Sequence, residues 1–183
     1  MTELLGGFAG MVRAQAVKKL ETETALVALL TFLLICSTWI DAWNELKSVN
    51  LDLADLWAPI LLATCYYLAA AVVFPREPEQ YSRLRTYLAA RKLFVFGLLW
   101  AAVLLECYAS SGFFTDAYQH RAAYFWGFLV PYNFAVNAGF LLLLVVRERR
   151  ASIALVSAEI LLVLVPYWQD HSFAPATMHL FGY

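Results

Sequence analysis

Long runs without lysine or arginine constrain this chain more than any other feature. Five windows, roughly 23–43, 56–74, 93–112, 122–146 and 151–169, contain neither residue. Each approaches or exceeds the ~20 helical residues needed to cross a hydrocarbon core of ~30 Å. The only acidic interruptions are Asp41 near the end of the first window, Glu23 at its start, Glu106 in the third and Glu159 in the fifth. With 62% of the residues hydrophobic and 15% charged, the chain carries well under the charge of a typical soluble domain. The runs do not alternate apolar with polar residues, and backbone groups in lipid must be satisfied internally. They are therefore expected to be helices and not barrel strands.

The expected fold class is all-α, a transmembrane helical bundle of five spans. No polar block between the windows reaches the size of an independent domain. Residues 1–22 read as a cytoplasmic or interfacial segment, 23–169 as the transmembrane domain and 170–183 as an outer tail. Nothing in Met1–Leu20 has the form of a cleavable secretory signal, so the first span is expected to act as its own insertion signal.

Charge distribution predicts the orientation. Eleven of the Lys and Arg residues fall before the first window, between the second and third, or between the fourth and fifth; only Lys47 and Arg121 fall on the other side. By the positive-inside rule the N-terminus is cytoplasmic and the C-terminus outside. All three histidines (His120, His171, His179) fall on the outer side. Trp39, Trp43, Trp57, Tyr118, Trp126, Tyr167 and Trp168 form the aromatic belt expected at headgroup level.

Among the connections, Leu4–Leu20 reads as a short cytoplasmic or interfacial helix. Pro75 and Pro78 end the second span, after which Tyr81, Leu84, Tyr87 and Leu88 recur at helical spacing opposite Arg83 and Arg85. The expectation is an interfacial helix whose Arg83, Arg85, Arg91 and Lys92 meet anionic headgroups or a partner protein. The link Arg147–Arg150, "RERR", is short enough to force the fourth and fifth spans into an antiparallel hairpin.

That hairpin brings a carboxyl and two amides to similar depth. Glu159 lies nine residues beyond Arg150 and Asn137 ten before Arg147, each about 14 Å along its helix. Asn133 is one turn further, just after Pro131 in "VPYNFAVNAGF". A carboxyl in lipid is costly, so it should face the bundle interior and find hydrogen-bond partners. Either protonated Glu159 bonds Asn137 or Asn133 and pins the hairpin, or it gains and loses a proton on an ion path. A second expected cluster, a polar mouth on the outer side, comprises Asp41, Glu106, Asp116 and His120. Cys36, Cys65 and Cys107 are too far apart for a redox motif and no disulfide is expected. No contiguous metal-ligand pattern, nucleotide-binding loop or nucleophile motif occurs, so no catalytic residue, metal, cofactor or nucleic-acid partner is expected.

The stretch Ser37–Trp100 has a Trp-rich outer helix end ("STWIDAW"), a helix ending in "VVFP" and a Tyr/Arg-rich segment, "YSRLRTYLAARK", leading into the next span. In this it resembles a group of uncharacterised small bacterial integral membrane proteins. The resemblance covers about a third of the chain and implies a bacterial inner membrane, without assigning an activity. The first functional expectation is a non-enzymatic integral membrane protein, a subunit of a membrane assembly or a homo-oligomer. A small proton or cation channel or transporter is the second. An enzyme acting on lipid at the outer face through Glu106, Asp41 or His120 is the third. The partners expected are the lipid bilayer and other membrane subunits or further copies of the chain.

Overall fold

The computed structural model describes residues 2–13, 20–46, 57–75 and 84–172, all of them helical or in short links. Among these described residues eight α-helical segments and one π turn follow in order. They are α1 (Thr2–Arg13), α2 (Thr22–Leu46), α3 (Trp57–Val73), α4 (Leu84–Ala109), α5 (Ser111–His120), α6 (Ala122–Tyr124), the π turn Phe125–Leu129, α7 (Val130–Val145) and α8 (Arg149–Ser172). Among the described residues three helical stretches are long and apolar enough to cross a membrane: Thr22–Ile40, Thr86–Ala109 and Ala122–Val145. Helix α3 is apolar but shorter. Helix α8 carries an apolar run behind Arg149 and Arg150.

Local chemistry explains most of the boundaries. Pro59 lies in the first turn of α3, where a missing N–H costs nothing, and Pro75 follows its last turn, where the helix cannot continue. Pro131 cannot donate to the carbonyl one turn back. The helix widens just before it, and the Val130 N–H bonds the Phe125 carbonyl in place of the usual acceptor. Ala122–Val145 thereby remains a continuous rod. Val146 leaves the helix in an extended conformation, φ −66° and ψ 123°, and three residues later α8 begins. The hairpin expected from "RERR" is therefore present.

Two expectations are revised. From Leu84 on, the segment before the third window is not a separate helix, because α4 runs without a break from Leu84 to Ala109; Tyr81 and Arg83 lie outside the described residues. Leu84 and Leu88, placed on an interfacial face by their spacing, are buried in the core. The same apolar spacing that suits a membrane surface also suits a bundle. At its other end α4 stops at Ala109, short of the expected 112, and Ser110 turns the chain into the ten-residue α5. In the N-terminal segment the helix covers Thr2–Arg13 and lies along α3. Leu4 is buried, and Gly7 meets Phe74 so closely that an added Cβ would stand 2.7 Å from the Phe74 Cβ.

Helices α2, α3, α4, α7 and α8 close a ring. Each packs on the next in the order α2–α3–α4–α7–α8–α2, and α2 also touches α4 across the middle. The inside is aliphatic and aromatic: Val27, Leu30, Val95, Phe96, Leu99, Phe140, Leu143 and Val156 have no exposed surface. The outside is equally apolar, with Leu93, Phe134, Val145 and Leu161 among the most exposed side chains. A surface of that kind suits lipid and would be a liability in water. Around α5, α6 and the π turn, Tyr118–Phe125 and Phe125–Trp126 pack edge to face at 5.4 and 5.1 Å. The Phe128 and Tyr132 rings stack at 5.5 Å.

Candidate functional site

The buried stripe of α8 runs Ser152, Val156, Glu159, Ile160 and Val163, positions three and four apart that share one helical face. A carboxylate thus stands where an aliphatic residue would be expected. Glu159 is 1% exposed and its Oε2 is buried with no hydrogen-bond partner. Its carboxyl lies on Gly139 of α7. A Cβ at Gly139 would overlap Glu159 Oε1 and stand 2.8 Å from Cδ, so the glycine forms the slot that the carboxyl fills. Side chains on neighbouring helices fix the level of this slot. Lys92 bonds Ser152 and Thr38 bonds Glu106; carried along the helices, these pairings bring Thr31, Leu99 and Glu159 to one level. The Thr31 hydroxyl is spent on the Val27 carbonyl at 2.8 Å.

Neither asparagine pairs with Glu159. Asn137 Oδ1 accepts from Trp100 Nε1 at 3.1 Å, and its Nδ2 donates to the Asn133 carbonyl at 2.9 Å. Asn133 Nδ2 donates to the Leu129 carbonyl at 2.8 Å, and its Oδ1 accepts from the Cys107 thiol at 3.4 Å. Residues 133 and 137, one turn apart, share the face of α7 toward α4. Residue 139 lies about 200° around the helix from 137, since each residue turns ~100°. The shared depth inferred from the hairpin was sound, but depth says nothing of azimuth. The residue on α7 that meets Glu159 is the glycine two positions beyond Asn137. Its signal in the sequence was a small residue at the carboxyl's depth. Trp100 also had a signal, since an indole N–H in an apolar helix requires an acceptor.

The residues of the expected outer mouth separate into two groups. Glu106 Oε1 accepts from Thr38 Oγ1 at 3.1 Å, and Thr38 Oγ1 also lies 3.1 Å from Tyr66 Oη, so this carboxylate joins α2, α3 and α4. Asp116 and His120 pair with each other at 3.9 Å on α5, both well exposed. The side chain of Asp41 lies outside the described residues. Among the described residues no group of three or more His, Cys, Asp or Glu side chains could hold a metal ion. Cys36, Cys65 and Cys107 are free.

At the basic end of the ring the Lys92 ammonium is engaged within the bundle. Its Nζ donates to the Val146 carbonyl at 2.8 Å and to Ser152 Oγ at 2.9 Å, fastening α4 to the end of α7 and the start of α8. The reason is its place on α4 opposite the hairpin link, where an unfilled carbonyl at a helix C-terminus attracts a cation. Arg91 stays exposed, its guanidinium 4.0 Å over the Tyr87 ring. Arg83 and the side chain of Arg85 lie outside the described residues. Comparison with known proteins finds no matching family model, no matching curated protein and no matching solved structure.

Proposed function

We propose that this is a five-span integral membrane protein, N-terminus cytoplasmic, whose working group is Glu159, binding and releasing a proton inside the bundle as a carrier or channel subunit and not as an enzyme. The observation that carries this reading is the unpartnered Glu159 Oε2. Every other polar side chain discussed at mid-helix is spent: Asn137 on Trp100, Asn133 on Cys107, Thr31 on Val27, Glu106 on Thr38. A carboxyl retained only as glue would be expected to share in such bonds. An ionisable residue buried at membrane depth and left unsatisfied points to transport before structure. On α4 the charged side chains that flank the level of Glu159 are Lys92 toward the basic end and Glu106 toward the other, seven residues or about 10 Å away in each direction.

Proton flux into liposomes decides the matter. The wild type should conduct, and Glu159→Gln, which keeps the size but cannot titrate, should abolish flux with the fold intact. Equal flux in both would sink the proposal. The orientation has its own test. Cysteines introduced at Asp52 and Asp116 should react with an impermeant thiol reagent outside intact cells, and one at Ser82 should not, as the eleven-to-two charge asymmetry requires.

A second reading, a subunit of a larger membrane assembly or a homo-oligomer, is favoured by the broad apolar outer faces, Phe134 at 75% and Val145 at 77% exposed among them. The same liposome experiment distinguishes it: a protein whose role is solely assembly gives no flux in the wild type or in any variant. A bacterial inner membrane, implied by the resemblance of Ser37–Trp100, is the location that fits either reading.

A further inference from the structure

The basic end of the ring holds a cluster of hydrogen-bond donors that the proton reading does not use. Thr38 on α2 meets Glu106 on α4 at an offset of 68 residues. Both helices run away from the basic end. Fourteen residues, nearly four full turns, separate Thr24 from Thr38 and Lys92 from Glu106. The same offset therefore brings Thr24 level with Lys92. Lys92 in turn bonds Ser152, the first buried residue of α8, and Arg149, one turn before Ser152, pairs with Glu21, one turn before Thr24, at 3.3 Å. Thr24, Lys92 and Ser152, all on helices of the ring, thus share one level, and Arg149 stands one turn below it.

Each of the four has a hydrogen left to donate. Thr24 is 1% exposed and its Oγ1 has no partner; Arg149 Nε is also buried without one. Ser152, 1% exposed, accepts from Lys92 and keeps its own proton to give. The Lys92 ammonium has spent two of its three hydrogens. Glu21 draws on the Nη2 side of Arg149 and leaves Nε over, while Glu23 acts on Lys92 through its charge. Across this end Lys92, Arg147, Arg149 and Arg150 outnumber Glu21, Glu23 and Glu148. Convergent N–H and O–H groups with a net positive charge call for a multivalent oxygen acceptor, and phosphate oxygens are the strongest biological candidates.

We infer that Thr24, Lys92, Arg149 and Ser152 form a binding site for the phosphate of an anionic phospholipid, seated between the starts of α2 and α8. This rests on the reading that the basic end lies at a membrane surface. The lipid would fasten the α7–α8 hairpin to α2 and so hold the wall on which Glu159 sits.

The test uses the full chain purified in mild detergent and titrated with phosphatidylglycerol, phosphatidylcholine or inorganic phosphate. Native mass spectrometry reads retained lipid, and thermal unfolding reads protection. The wild type should retain one phosphatidylglycerol at least tenfold more strongly than phosphatidylcholine. Thr24→Val, nearly isosteric, and Arg149→Gln should each reduce that preference several-fold, while Arg121→Gln at the opposite end should leave it unchanged. Should Arg149→Gln fail to fold, Ser152→Ala and Thr24→Val still carry the test. Equal retention of the two lipids, undiminished preference in all three site variants, or protection by inorganic phosphate as strong as by phosphatidylglycerol would overturn the lipid assignment. In those cases the proton reading stands, since it depends on Glu159→Gln. A wild type that fails to insert into phospholipid vesicles would overturn both.

Discussion

The two neighbours of α7 hold it in opposite ways. Toward α4 the contact is polar, with the Trp100 indole on Asn137 and the Cys107 thiol on Asn133. Toward α8 it is a close approach at Gly139, with the Glu159 carboxyl pressed against bare backbone and no bond from Oε2. The first interface has its polar groups satisfied and gains a modest amount from each. The second places a costly group where Oε2 gains no bond, and that difference is the ground on which the proton proposal rests.

The largest effect is expected at the glycine. Gly139→Ala should destabilise the protein by roughly 1–3 kcal/mol, the range for overpacking a filled interior. Adding Glu159→Ala should restore much of the loss, because the two side chains compete for one slot. Thermal or denaturant unfolding in detergent gives both numbers. If Gly139→Ala proves neutral, the α7–α8 contact is looser than described here and the comparison with α4 weakens.

At Glu159 itself the sign is informative. Glu159→Leu removes a buried group that lacks a partner, and stability should stay level or rise by up to about 1 kcal/mol. Had the carboxyl been bonded to Asn137, the same change would lower stability by about as much. On the α4 side, Trp100→Phe should cost about 0.6 kcal/mol, the average for an interhelical hydrogen bond in a membrane protein, and no more than about 2. Cys107→Ala should cost less still, since a thiol is a weak donor. A Trp100→Phe loss well above that of Gly139→Ala would reverse the ranking of the two interfaces.

Length and apolarity made the helices readable from the chain. Among the described residues helix covers most of each of the five windows, the third being broken at Ser110, and Pro75 and the "RERR" link mark a helix end and a hairpin where steric and chain-length arguments place them. Charge density misled at the start of α4. Arg85, Arg91 and Lys92 suggested a surface helix, but Leu84 and Leu88 on the same segment enter the core and Lys92 turns inward to Val146. At the site, residue counting from the hairpin gives depth to within a turn. Azimuth depends on how each helix is rotated against its neighbours, which is set by ring packing and is not written in any local spacing. Asn137 and Gly139 share a depth and face different helices, so the amides drew attention that belonged to the glycine. The donor cluster around Thr24 was hidden for a similar reason, as it depends on the parallel register of α2 and α4 across 68 residues.

The claim on which this account turns is that Glu159 exchanges a proton within the folded bundle, and infrared spectroscopy of the protein in lipid bilayers observes that directly. The carbonyl stretch of a protonated carboxyl that is present in the wild type and missing in Glu159→Gln identifies the group. The account predicts that this band disappears reversibly as the pH is raised while the helical signal is unchanged. A Glu159 band that persists at every pH the fold survives would show a permanently protonated, structural carboxyl and contradict the account.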